Sequence, residues 1–169
     1  MASTIHRNRT AYDSDFHAWT VEQSAALRRL ASVPAASDVD IEHVAEEIED
    51  LGKSDVRALL SEVALVIEHL LKLEWSPASD PRALREHDVG KHRFAARQIL
   101  DDSPGLRQHL QSSLDRCFAQ ARRQAVRSLL RDRVEPEILP DACSYELDKH
   151  ILDPDWFPAN RHGLDKPVS

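Results

Sequence analysis

Glu62 and His69 are the residues of this 169-residue chain whose types and spacing could do chemistry. Seven residues apart in a helical stretch, they share one face. Both are set into a run from Ser54 to Trp75 that is apolar almost all round. A carboxylate and an imidazole turned inward are the donors that helical bundles use for metal ions. Glu47 flanks the apolar face of the preceding segment and would join them if a turn at Gly52 folds the two segments together. Glu47, Glu62 and His69 are therefore the metal-ligand candidates. Their spacing is not that of a known site. A di-iron bundle wants Glu-x-x-His on two helices, but Val66 stands three before His69, and His43 precedes Glu46 and Glu47 in the reverse order. There is no His-Glu-x-x-His and no Cys/His zinc spacing. The simpler expectation is a satisfied polar network, with the cofactor unknown and a metal ion not expected.

Nucleophiles are few. Cys117 falls near an apolar stripe and reads as core. Cys143 comes just before an expected helix start at Ser144, where a thiolate would be favoured, and His150 follows one to two turns on. Packing is the expected role of both thiols. The chain has no Gly-x-Ser-x-Gly, no phosphate-binding glycine loop, and only four glycines. No catalytic residue is assigned, and the reading leans away from an enzyme.

Charge offers the other candidates. Between Arg82 and Arg133 there are twelve Lys/Arg against six Asp/Glu, a local +6, so the remainder carries −13 to reach the net −7. Arg116, Gln120, Arg123, Arg127 and Arg131 form one row at helical spacing, opposite Leu106, Leu110, Leu114, Phe118, Ala121, Ala125 and Leu129. Glu42, Glu46, Glu49 and Asp50 make an acidic face beside Ile41, Val44, Ala45, Ile48 and Leu51. The arginines and Glu42, Glu46 and Glu49 are the partner-binding candidates, for a protein partner or for head-to-tail self-association. No aromatics interleave with the arginines and the net charge is negative, so nucleic-acid binding is the weaker alternative.

These residues need helices to position them. The composition is 41% hydrophobic and 30% charged, rich in Leu, Ala, Glu and Arg, and no segment alternates with period two. The first helix is expected from about Asp13 to Ala31, with Thr20 and Gln23 at capping-box spacing and Phe16, Trp19, Leu27 and Leu30 facing the core. Asp40 should cap the next; Gly52 can close it and Ser54 can cap another, while a continuous helix through Gly52 is the competing reading, because the apolar register carries across. Pro77 and Pro81 close the central helix. A weaker helix spans about Arg82–Leu100, with Gly90 inside it. Ser103 and Pro104 mark the start of a long one that reaches roughly Arg133. Pro136 and Pro140 break the chain, and a short helix follows at Ser144–Leu152. Trp156 and Phe157 read as a hydrophobic lid. No apolar run approaches the roughly 20 residues that span a bilayer, and the N-terminus has no secretory apolar region.

Three blocks carry a resemblance: Y-D-S-D-F-H-A-W at Tyr12–Trp19; E-E-I-E-D-L-G at Glu46–Gly52 with H-L-L-K at His69–Lys72; and P-D-A-C-S-Y-E-L at Pro140–Leu147 with L-D-P-D-W-F-P at Leu152–Pro158. In order and spacing the chain resembles the bacterial family catalogued as domain of unknown function number twenty-nine, from about Tyr12 to Pro158. The resemblance implies a compact helical domain in a bacterial cytoplasm and no assigned activity. The chain departs from the family pattern at Leu84, near which relatives carry Trp, and at His92-Arg93, near which they carry Gln-Arg. The expectation is an all-α fold, a single compact bundle of about five or six helices over residues 12–158, between a loose arm at 1–11 and a loose tail at 159–169. The expected role is a cytoplasmic protein-interaction module without catalytic activity, with a metal-binding bundle or metal-dependent enzyme as the alternative.

Overall fold

The computed structural model describes residues 11–31, 39–77, 82–131, 133 and 139–162. Four α-helices follow a helical turn at 11–14: α1 (Phe16–Ala31), α2 (Ile41–Trp75), α3 (Arg82–Asp102) and α4 (Leu106–Arg131). A single π turn, Leu147–Ile151, comes after them, and no strand occurs among the described residues. The fold is all-α. The expected features at residues 1–10, 32–38, Pro81, Pro136 and 163–169 lie outside the described residues. None of the helices is long and apolar enough to cross a membrane.

The chain falls into two compact units, Met1–Leu59 with Gln98–His109, and Leu60–Arg97 with Leu110–Ser169. In the first, Asp15 caps α1: its Oδ1 accepts from the Ala18 amide at 2.9 Å. Helix α1 therefore starts at Phe16, near the expected Asp13, and the capping-box spacing of Thr20 and Gln23 marks no helix start. Thr20 is fully buried instead, its hydroxyl donating back to the His17 carbonyl. Asp40 caps α2 as expected, accepting from the His43 amide at 3.2 Å.

Gly52 does not divide α2, which is one continuous helix of 35 residues. A Cβ at Gly52 would lie 2.2 Å from Thr20 Oγ1 and 3.1 Å from His17 Nδ1. The glycine is there because α1 crosses α2 at van der Waals distance, not to end a helix. His17 Nδ1 also bonds the Gly52 carbonyl at 3.2 Å. Since α1 buries Thr20 and Ser24, the large side chains expected to do so are less covered. Leu30, Val44 and Leu51 are exposed, Phe16 and Trp19 are half-buried, and the two rings pack with Tyr12 at centroid distances of 4.9–5.7 Å. Ser103 is buried and accepts from the His17 amide at 3.1 Å, so it does not cap a helix at Pro104; α4 begins at Leu106.

In the second unit, Val63, Ala64, Val66, Ile67, Leu70, Leu71 and Leu73 of α2 are all buried, which matches the two-sided apolar pattern. Ala121, Ala125 and Leu129 of α4 complete the stripe on that helix. The short helix expected at Ser144–Leu152 is only the π turn, in which the His150 and Ile151 amides both reach the Glu146 carbonyl. Arg93 holds this turn. It is 1% exposed; its Nε donates to the Ile151 carbonyl at 2.9 Å and its Nη2 to the His150 carbonyl at 2.5 Å. Its guanidinium lies 5.0 Å from the centre of the Phe157 ring.

Candidate functional site

Three places in the second unit gather polar chemistry. The first is around the metal-ligand candidates. Glu62 does not meet His69; its Oε2 lies 2.7 Å from Nδ1 of His92, on α3. A carboxylate only accepts, so that nitrogen carries the proton. The His92 ring in turn stacks on His69, with centroids 5.6 Å apart. His69 Nδ1 is buried with no hydrogen-bond partner among the described residues. Burial, and then the nearby Lys72 cation, hold its pKa below the usual histidine range. Glu47 is exposed and takes no part. Glu47 belongs to the first unit, and Glu62 and His69 to the second. Among the described residues no group of three or more His, Cys, Asp or Glu side chains is arranged to hold a metal ion.

The second place is the outer face of α4. Arg116, Arg123, Arg127 and Arg131 are all exposed, and none has a partner among the described residues. Their neighbour Arg122 is occupied, by the Pro140 carbonyl at 2.9 Å and Asp141 at 3.1 Å. The acidic residues of the first unit are in the opposite condition. Arg28 of α1 pairs with Glu42 at 3.2 Å and Glu49 at 2.6 Å, and Lys53 pairs with Glu49 and Asp50. Only Glu46 of that acidic set is exposed without such a pair.

The third place was not read from the sequence. The last carbonyls of α2 have no intrahelical donors, and three consecutive residues supply them. Asn160 Nδ2 donates to the Leu73 and Ser76 carbonyls at 2.8 and 2.9 Å. The Arg161 amide donates to Glu74 at 2.9 Å, and His162 Nε2 to Trp75 at 3.1 Å. The loose tail expected from residue 159 is thus fixed as far as 162. Glu74 sits at the negative end of the α2 dipole, where a bare carboxylate is disfavoured. Two groups offset this: Arg161, whose Nη2 lies 2.7 Å from Oε1, and Tyr145, whose hydroxyl donates to Oε2 at 2.7 Å. Burial and the Glu74 carboxylate push the Tyr145 pKa up, so the phenol stays protonated. A pocket of about 420 Å³ opens over this junction, walled by Tyr145, His150 and Trp156. The His150 and Trp156 rings pack with centroids 4.4 Å apart.

Burial raises the pKa of both Cys117 and Cys143. Cys143 precedes no helix; its Sγ donates to the Tyr145 carbonyl at 3.5 Å. Cys117 donates to the Leu60 carbonyl.

A family model for a domain of unknown function, DUF29, matches residues 11–157. The chain belongs to the DUF29 family. A similar solved structure is that of an α-helical protein of unknown function from Rhodospirillum rubrum ATCC 11170, at 1.45 Å resolution; it is 28% identical, with a TM-score of 0.71, covering 85% of this chain and 90% of that one. No curated protein matches. In this DUF29 chain Leu84 is 60% exposed. Arg93 is the buried clasp of the π turn. Its signal lies in the sequence: Arg93 interrupts the row Val89, Ala96, Leu100 at helical spacing, so a charge stands where the pattern demands an apolar residue.

Proposed function

We propose that this DUF29 protein is a protein-interaction domain that receives an acidic partner on the arginine face of α4. The observation that carries this reading is the contrast between the two charged faces. Arg116, Arg123, Arg127 and Arg131 are exposed and have no partner among the described residues, whereas Glu42, Glu49 and Asp50 are engaged by Arg28 and Lys53. Four guanidiniums repelling one another along one helix face are relieved by an anionic surface, which also steers its approach. Two free thiols fit a reducing cytoplasm.

The test is cross-linking in the source cells with the full chain and with a double variant, Arg123→Glu and Arg127→Glu. Cross-links from α4 to acidic segments of one partner should be present with the native chain and absent with the variant. Cross-links that persist in the variant would end the reading. Cross-links to a second copy of this chain would make the partner itself, and retention of a single-stranded oligonucleotide at physiological salt would transfer the face to nucleic acid.

A further inference from the structure

The pocket over the end of α2 has walls and hydrogen-bonding groups that the fold does not use up. Asn160 is excluded as a ligand-binding group. Its amide nitrogen serves two carbonyls and its Oδ1 accepts from the His162 amide at 2.8 Å, which makes it purely a latch. Glu74 is nearly saturated as well, accepting from Arg161 twice and from Tyr145 once. The remaining capacity belongs mostly to donors. Arg161 spends Nε and Nη2 on Glu74 and keeps Nη1, which has no partner among the described residues. His150 accepts the Glu146 amide on Nδ1 at 2.8 Å, so its Nε2 carries the proton in the neutral ring as well as in the cation. Neither that N–H nor the indole N–H of Trp156 has a protein partner among the described residues, and neither is a buried orphan. Both therefore face solvent or the pocket. The flat faces of Tyr145 and Trp156, with centroids 6.0 Å apart at 64°, supply apolar walls.

We propose that this pocket binds a small planar carboxylate, with the acid taken by Arg161, His150 and Trp156 and the flat body laid against Tyr145 and Trp156. The chemistry selects an anion, because a ligand rich in donors would find only the leftover lone pairs of Glu74 and Tyr145. A pocket of about 420 Å³ is within the range of small-molecule sites, which combine mostly apolar walls with a few placed polar groups. A carboxylate is also the acceptor that the remaining charged Nη1 donor of Arg161 favours, since charge-assisted hydrogen bonds are the stronger ones.

The experiment is calorimetric titration of the full chain with benzoate and indole-3-carboxylate, and with the uncharged benzamide and indole-3-carboxamide. The acids should saturate with a Kd near or below about 1 mM, and the amides should bind at least about tenfold more weakly. Arg161→Gln should cost about tenfold for the acids, with unchanged helical circular dichroism. Trp156→Leu leaves the Glu74–Arg161 pair in place and should weaken acids and amides together. Arg127→Gln, on the arginine face, should leave binding as it is. Equal binding of acids and amides, no binding of any probe, acid affinity unaltered in Trp156→Leu, or loss that follows Arg127 instead of Arg161 would each overturn the assignment. The last of these would return the anion to the α4 face, so the two proposals fail separately.

Discussion

At the scale of single residues, the buried polar groups are where the sequence reading and the structure part company. The pairing of Glu62 with His69 rested on their shared face, and the face is correct. What spacing along one helix could not show is that His92 of α3 stands between them as Glu62's partner. His69 is left with an orphaned nitrogen and a lowered pKa. A histidine whose folded pKa is depressed binds its proton more readily once unfolded, so it costs stability as pH falls below the unfolded value near 6.5. Thermal melts of the native chain should therefore lose Tm between pH 7.5 and 5.5, and His69→Leu should show a shallower loss; equal slopes would refute it. Arg93 is the other case. Burial lowers its pKa to about 10, which still leaves it charged at neutral pH. Replacing it removes two hydrogen bonds and strands one buried and one part-buried carbonyl. Arg93→Met should cost about 2–4 kcal/mol, read from the denaturant midpoint, and Arg93→Lys should not restore it, because an ammonium lacks the fork.

Elements were more legible than residues. The apolar register of α2 and the Leu/Ala stripe of α4 are dictated by burial, which periodicity reports directly. Ends and breaks were less so. Gly52 carries the same letter whether it stops a helix or admits a neighbour, and only the packing of Thr20 against it decides. The two helical glycines make a comparison that uses this. At Gly90 an added Cβ meets nothing within 4 Å, so Gly90→Ala should stabilise by about 0.5–1 kcal/mol through helix propensity. At Gly52 the same change forces Thr20 aside, and Gly52→Ala should destabilise by about 1–3 kcal/mol. Chemical denaturation of the two variants reads both signs. A stabilised Gly52→Ala would mean that α1 does not pack closely there.

At the scale of the whole molecule, charge segregation was visible from composition alone, because it needs only residue counts along the chain. Which charges remain available was not visible, since that depends on Arg28 and Lys53 having already met the acids of α2. An ordinary helical chain would spread its arginines among carboxylates; this one leaves four of them in a row. If the row is a docking face, its partner's affinity should fall as salt rises from low to physiological ionic strength, where the screening length shortens to about 8 Å. Affinity indifferent to salt would point to an apolar contact elsewhere.

The clasp of Asn160, Arg161 and His162 on α2 also bears on where this chain can be trimmed. The family match ends at Phe157, yet the groups that terminate α2 come three to five residues later. A fragment trimmed to the matched span would keep all four α-helices and still leave the carbonyls of Leu73, Glu74, Trp75 and Ser76 without those donors, and Glu74 without its counter-ion. The hydrogen bonds that finish α2 therefore reach at least to residue 162, five residues past the end of the family match.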